Sequence, residues 1–267
     1  MDAKKNIKKI ILPVCLLLLA ICLNACGGRD AHLKEIRDRG VLRVGVKTDV
    51  QYFGHLNPDT NQLEGLEIDL VRLIAQDLLG DSSAVKLVGV TAQTRESMLN
   101  NGELDIVIAT FTITEERKKN FHFTEPYVRD EIGFLVKKDS GLKSIMDMNG
   151  KTVGTVQSGT ARNALEIEAA ARGIELKYQG YASYPEVKAA LLSNKIDAFA
   201  VDKSILLSYV DETTVILADG FNPQYYGIAT KLSSNGLAAY LDDFMRSIRE
   251  DGRLEEILTR WGQKMPE

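Results

Sequence analysis

Three short segments carry residue types that could hold a small zwitterion. Thr110 to Arg117 (Thr-Phe-Thr-Ile-Thr-Glu-Glu-Arg) follows an apolar run and leads into a helical pattern. Its hydroxyls, the free N–H groups of a helix start and the Arg117 guanidinium converge on one spot, which suits a carboxylate. Arginine is the better residue there because its planar fork donates two parallel hydrogen bonds. Spacing alone leaves Arg117 open between that role and a solvated charge beside Lys118 and Lys119. Val156 to Thr160 (Val-Gln-Ser-Gly-Thr) is a second anion candidate, because Gly159 lets the backbone turn its N–H groups inward. It lacks the Gly-Lys-Ser/Thr triplet of a phosphate loop, and helix capping by Ser158 or Thr160 is compatible with anion binding. Asp202 follows the apolar run Ala198 to Val201. A carboxylate at the end of a buried strand needs a cation or several donors, and a ligand ammonium would serve. Otherwise Asp202 caps a helix over residues 203–209.

Other chemistry is poorly supplied. The three histidines, His32, His55 and His122, are scattered, with no nucleophile-base spacing and no metal-ligand motif. No enzyme activity, metal or cofactor is therefore expected. The formal charge of −4 and the absence of a basic cluster disfavour nucleic acid as a partner.

Residues 1–25 form a secretory signal: Lys4, Lys5, Lys8 and Lys9, an apolar stretch from Ile10 to Leu23, then Leu23-Asn-Ala-Cys26. The stretch contains Pro13 and falls short of the roughly 20 apolar residues that cross a bilayer. Leu-x-Ala-Cys resembles a lipobox, which implies that Cys26 is acylated and becomes the mature N-terminus, with residues 26–31 as a tether. Two acyl chains hold a protein stably at a membrane surface. The expected location is the extracytoplasmic face of the cell membrane. The other two cysteines, Cys15 and Cys22, lie in the removed segment, so no disulfide is expected in the mature chain.

These candidate residues need elements to position them. Alternating apolar residues predict strands over 41–46, 85–90, 104–109, 132–137, 152–156, 175–178, 196–201 and 225–230. Helical periodicity predicts helices over 32–39, 69–79, 94–100, 114–119, 161–172, 185–194, 237–250 and 253–261. The apolar stripe of Leu237, Tyr240, Leu241, Phe244 and Met245 reads as core. The alternation implies an α/β chain with largely parallel sheets. Met98 to Thr110 and Ala190 to Asp202 echo each other as helix end, turn, aspartate, apolar strand and polar residue. Two similar halves would each present a polar residue, Thr110 or Asp202, at the carboxyl end of a buried strand, where open α/β sheets bind ligands. Facing each other, they make a cleft.

The chain resembles, over nearly its whole mature length, the amino-acid-binding proteins of bacterial ABC importers, a two-lobed type II periplasmic-binding fold. The likeness is carried by Arg39 to Val46, Gly65 to Leu70, Ala109 to Arg117, Phe123 to Tyr127, Gln157 to Thr160, Tyr226 to Ile228 and Trp261-Gly262, in that order. The resemblance implies a ligand cleft between lobes joined by two hinge segments, with crossings near Ile132 to Phe134 and Tyr226 to Ile228. Lobe 1 would comprise 32–132 and 227–267, and lobe 2 residues 133–226. It implies that Arg117 and the Thr160-Ala161 backbone grip the α-carboxylate, that Thr110 and Thr112 share in binding the amino and carboxylate groups, and that Asp202 pairs with the α-ammonium. Val90 to Arg95 and Val201 to Leu207 are most similar to members that bind aspartate and glutamate. Arg95 and Lys47 would then face a side-chain carboxylate, with Tyr184 against the ligand. The expected function is delivery of a free amino acid, aspartate or glutamate, to a membrane permease by a monomer that closes around it. Alternatives are glutamine, cysteine or another polar amino acid as ligand, and a sensory or adhesive surface lipoprotein. A cyclohexadienyl dehydratase on the same fold is disfavoured.

Overall fold

The computed structural model describes residues 31–264 and 266. The secretory segment 1–25, Cys26 and most of the tether lie outside the described residues. Among these residues, fourteen strands follow in chain order. β1 is Leu42–Val46, β2 Asp49–Val50, β3 Gly54–Leu56, β4 Leu63–Glu64, β5 Val85–Gly89, β6 Ile106–Ile108 and β7 Phe121–Phe123. β8 is Val128–Lys137, β9 Thr152–Val156, β10 Lys177–Tyr181, β11 Ala198–Asp202, β12 Thr214–Ile216, β13 Phe221–Tyr226 and β14 Ala229–Lys231.

They form two main sheets. The first has the order β5-β1-β6-β14-β7, with β1 parallel to β5 and β6 and only β14 antiparallel to its neighbours. The second has the order β10-β9-β11-β8-β12, with β13 also on β8. Here β9 pairs in parallel with β10 and β11, while β8 meets β11, β12 and β13 antiparallel. A small antiparallel sheet, β2-β3-β4, packs against the helix Leu66–Leu79. Parallel strands need helical crossovers that cover their faces, which is why β1, β6 and β11 are buried along their whole length or nearly so. The helices Leu66–Leu79 and Asn235–Glu250 bury their apolar stripes into the first half, as the spacing predicts for Leu237, Leu241, Phe244 and Met245.

The chain passes from the first sheet to the second between Phe123 and Val128 and returns between Tyr226 and Ala229. Ile132 to Phe134, expected at the first crossing, instead lie inside β8, paired with β11. The single strand expected over 225–230 is two strands in different sheets, β13 and β14, broken at Gly227 and Ile228. Gly227 packs so closely against Ile113 that an added Cβ would lie 2.9 Å from its Cδ1. Gly65, which starts the helix Leu66–Leu79, has φ +140°, and a Cβ there would sit 2.1 Å from the Phe53 carbonyl oxygen. That turn admits only glycine. Among the described residues, no helix is long and apolar enough to cross a membrane.

Candidate ligand-binding site

Helix starts and strand ends from both halves converge on one small, tightly enclosed cavity, about 20 Å³. The first half supplies Ala92, Arg95, Thr110 and Thr112; the second supplies Val156, Gly159, Thr160, Ala161, Tyr184, Val201 and Asp202. Seven of the nine residues singled out from the sequence are therefore together: Arg95, Thr110, Thr112, Thr160, Ala161, Tyr184 and Asp202. Thr110 comes just after β6 and Asp202 ends β11, so the two echoing segments do present their polar residues to the same space.

Arg95 opens the helix Arg95–Asn101 and is 3 % exposed. Its Nη1 donates to the carbonyls of Ala109 at 2.8 Å and Thr110 at 3.3 Å, and its guanidinium lies 4.0 Å over the Phe111 ring. Among the described residues no carboxylate forms an ion pair with it, and Nε has no partner at all. The neighbouring Thr110 Oγ1 is likewise buried and unpartnered. Orphaned donors on a cavity wall are what a site looks like when the ligand supplies the missing acceptors.

Thr110 itself has φ +44°, a left-handed conformation that a β-branched residue adopts only under constraint. The constraint is Glu67, fully buried, whose Oε1 accepts from the Thr110 N–H at 2.6 Å and from the Tyr127 hydroxyl at 2.7 Å. Burial pushes the Glu67 carboxyl up to about 7, against the pull of those two hydrogen bonds. Its Oε2 is unpartnered. Asp202 is also pushed up to about 7, by burial first and by the nearby Asp130 second. The Tyr226 hydroxyl donates to Asp202 Oδ2.

Lys47 and Arg117 do not line this cavity. Lys47 is buried, but its ammonium pairs with Asp49 at 2.9 Å and sits 4.8 Å from the centre of the Tyr184 ring, which stands between two aromatic neighbours, Phe199 and Tyr209. A carboxylate two residues along the chain is its nearest partner, and burial lowers its proton affinity. Arg117 lines a wider outer recess that shares Thr112, Gly159 and Thr160 with the inner cavity. Its Nη1 donates to the Thr112 carbonyl at 2.8 Å, Nη2 to the Ser158 carbonyl at 2.9 Å, and Nε to Glu96 at 3.3 Å. Arg117 is thus not the solvated charge that its lysine neighbours suggested. Burial, with Arg95 next, holds it down to about 10. Its two carbonyl partners belong to different halves, so the guanidinium spans the cleft. Thr160 donates to Gln224 at 2.8 Å within the second half. The segment Thr114 to Arg117 does start a short helix, and Thr114 caps it by accepting from the Arg117 N–H.

Val156 and Gly159 belong to the segment read from the sequence as an anion site; sequence reasoning missed Ala92 and Val201 as cavity wall, and Glu67, Asp130, Tyr127 and Tyr226 as the layer behind it. Glu67, Tyr127 and Tyr226 each lie inside a motif noted above, which was the only signal; apolar wall residues look like any other core.

Two α/β halves, linked by two crossings and closed on a polar cavity, define the class of two-lobed solute-binding proteins. Residues 42–264 match bacterial extracellular solute-binding proteins, family 3, and the chain belongs to that family. It is 35 % identical to the ABC transporter glutamine-binding protein GlnH of Bacillus subtilis, over 97 % of this chain and 99 % of the relative. It is 29 % identical to the glutamate-binding protein GluB of Corynebacterium glutamicum, over 91 % of this chain and 86 % of the relative. Among solved structures, the cysteine-binding protein of Campylobacter jejuni superimposes with a TM-score of 0.77 at 27 % identity, over 85 % of this chain and 91 % of that one. The protein is an amino-acid-binding component of an ABC importer, working on the extracytoplasmic side.

Proposed function

We propose that the ligand is an acidic amino acid, aspartate or glutamate. The observation that carries this reading is Arg95: a buried guanidinium on the cavity wall, bonded only to carbonyls, with an orphaned Nε. A neutral side chain would leave its charge uncompensated, whereas a carboxylate would form the paired, hydrogen-bonded arrangement that a buried charge requires.

In this reading Asp202 receives the α-ammonium, since Tyr226 takes only its Oδ2. Thr110, Thr112, Thr160 and the Ala161 N–H at a helix start surround the α-carboxylate. Arg117 contributes from the rim by bridging Thr112 and Ser158 as the halves close. Closure is a hinge motion about residues 124–127 and 227–228, and it strengthens every charge contact by excluding water. The protein acts as a monomer anchored through diacylated Cys26 and hands its ligand to a membrane permease.

Isothermal titration of residues 27–267, unfolded and refolded to strip bound ligand, against aspartate, glutamate, glutamine, cysteine, arginine and histidine tests the assignment. Tight binding of aspartate or glutamate alone is expected. Preference for glutamine, the ligand in the name of the Bacillus subtilis relative, would overturn the role of Arg95 and leave the ammonium site standing. Mass spectrometry of the chain from a membrane fraction, with and without Cys26→Ser, tests the anchor.

A further inference from the structure

Behind the cavity wall lies a row of three oxygens. The Tyr226 hydroxyl donates to Asp202 Oδ2, and on its other side stands Asp130 Oδ2 at 3.3 Å. The three residues come from three strands of one sheet: Asp202 ends β11, Asp130 lies near the start of β8 just after the first crossing, and Tyr226 ends β13 just before the second. Asp130 Oδ2 also accepts from the Ser204 hydroxyl and from the Ser204 N–H at 3.1 Å.

The proton count of this row is short by one. The phenol has a single proton and two carboxylate neighbours. With both carboxylates ionised, one contact sets lone pair against lone pair, and two negative charges share a buried site. The surrounding groups do not fully offset them. Arg95 and Arg117 act on Asp202 from the first half, and the Tyr184 ring faces it from the helix Tyr184–Leu192. Asp130 has hydroxyl and N–H donors around it, and Lys203, next to Asp202 in the chain, is turned away to Glu131 and the Ala218 carbonyl. One added proton satisfies the row from end to end.

We propose that Asp130 is a positioning residue of the ammonium site: through Tyr226 it shares one proton with Asp202 while the cavity is empty, and an arriving ammonium expels that proton to solvent. The ligand ammonium keeps its own three protons, so charge balances within the site. This rests on the reading of Asp202 as the ammonium partner. Burial raises both carboxyl groups, Asp202 to about 7. The sign of the linkage follows. Where the empty site holds the proton, binding must displace it, so apparent affinity falls as pH drops below about 7, by up to about tenfold per pH unit, and is flat above it.

The test is titration calorimetry of the mature chain with aspartate, from about pH 5.5 to about pH 8.5, in three buffers of different ionisation enthalpy; the buffer slope counts protons released. Release approaching one proton per ligand below about pH 7, and none at the alkaline end, is expected. Asp130→Asn removes the second carboxylate, so Asp202 loses the charge repulsion that adds to the effect of its burial, and proton release near pH 6 should fall well below the wild-type value. Wild-type protein that releases no proton anywhere in the range overturns the proposal without any variant. Asp202→Asn separates the two ideas. If it loses binding at least about a hundredfold while Asp130→Asn releases as many protons as wild type, only the shared proton is refuted; if it binds normally, the ammonium assignment fails as well.

Discussion

Replacing Arg95 should separate stability from function. The guanidinium gives up its hydration for two carbonyl contacts from one nitrogen and a stacked ring, with Nε unpaired. Desolvating such an ion costs several kcal/mol, and charged hydrogen bonds return about 1.5–3 kcal/mol each, so the group contributes little or is net destabilising. Arg95→Met keeps much of the volume against Phe111 and removes the buried charge. Its urea midpoint without ligand should match or exceed that of the wild type. Ligand binding responds in the opposite direction. Removing one partner of a buried ion pair costs about 3–5 kcal/mol, which is roughly a hundredfold to several thousandfold in Kd. Calorimetry with aspartate and with glutamine reads it: aspartate binding collapses, and the discrimination between the two ligands narrows or inverts. An Arg95→Met protein that binds aspartate normally and is strongly destabilised would show that Arg95 is a structural residue, and the proposal of an acidic ligand would lose its support.

Other outcomes follow from the packing. Gly65→Ala places a Cβ 2.1 Å from the Phe53 carbonyl at φ +140°, so the turn must move; a loss of about 2–4 kcal/mol in urea unfolding is expected. Glu67 has a folded-state pKa raised to about 7, so its ionisation opposes folding as pH rises from about 4.5 through about 7. Glu67→Gln should flatten that part of the stability-versus-pH curve, and an unchanged slope would contradict the burial argument. Asp105 behaves in the reverse sense. Burial works against its charge, but His32, Arg39 and Arg43 all bond to it, Arg43 Nη2 at 2.6 Å, and hold it at about 2. Its contribution is present above about pH 4 and fades toward about pH 2; Asp105→Asn should cost about 2–3 kcal/mol at neutral pH, measured by denaturant titration.

Much of the fold is legible residue by residue. The strand Thr152–Val156 and the helix Ala161–Arg172 stand at the bounds their pattern predicts, the helix ending at Gly173 in the left-handed conformation. Short strands were not legible. The β2-β3-β4 sheet spans 49–64 with two or three residues per strand, too few for an alternation to register. Nor could residues 225–230 reveal their division between two sheets, because an apolar residue carries no mark of the sheet it joins; the close packing of Gly227 against Ile113 belongs to that break.

Beyond what the family resemblance implied for Arg95, Ala161 and Tyr184, the sequence by itself determined the α/β alternation and the paired halves with Thr110 and Asp202 at strand ends. It did so because periodicity, helix starts and strand ends are local properties. Tertiary structure alone decided which cations meet the cavity and which are spent on the protein. Lys47 turns to Asp49, Arg117 spans the cleft between the Thr112 and Ser158 carbonyls, and of these three cations Arg95 alone keeps an unpartnered donor on the cavity wall. That division depends on partners up to 43 residues away along the chain, and a buried charge takes its meaning from whatever shares its enclosure.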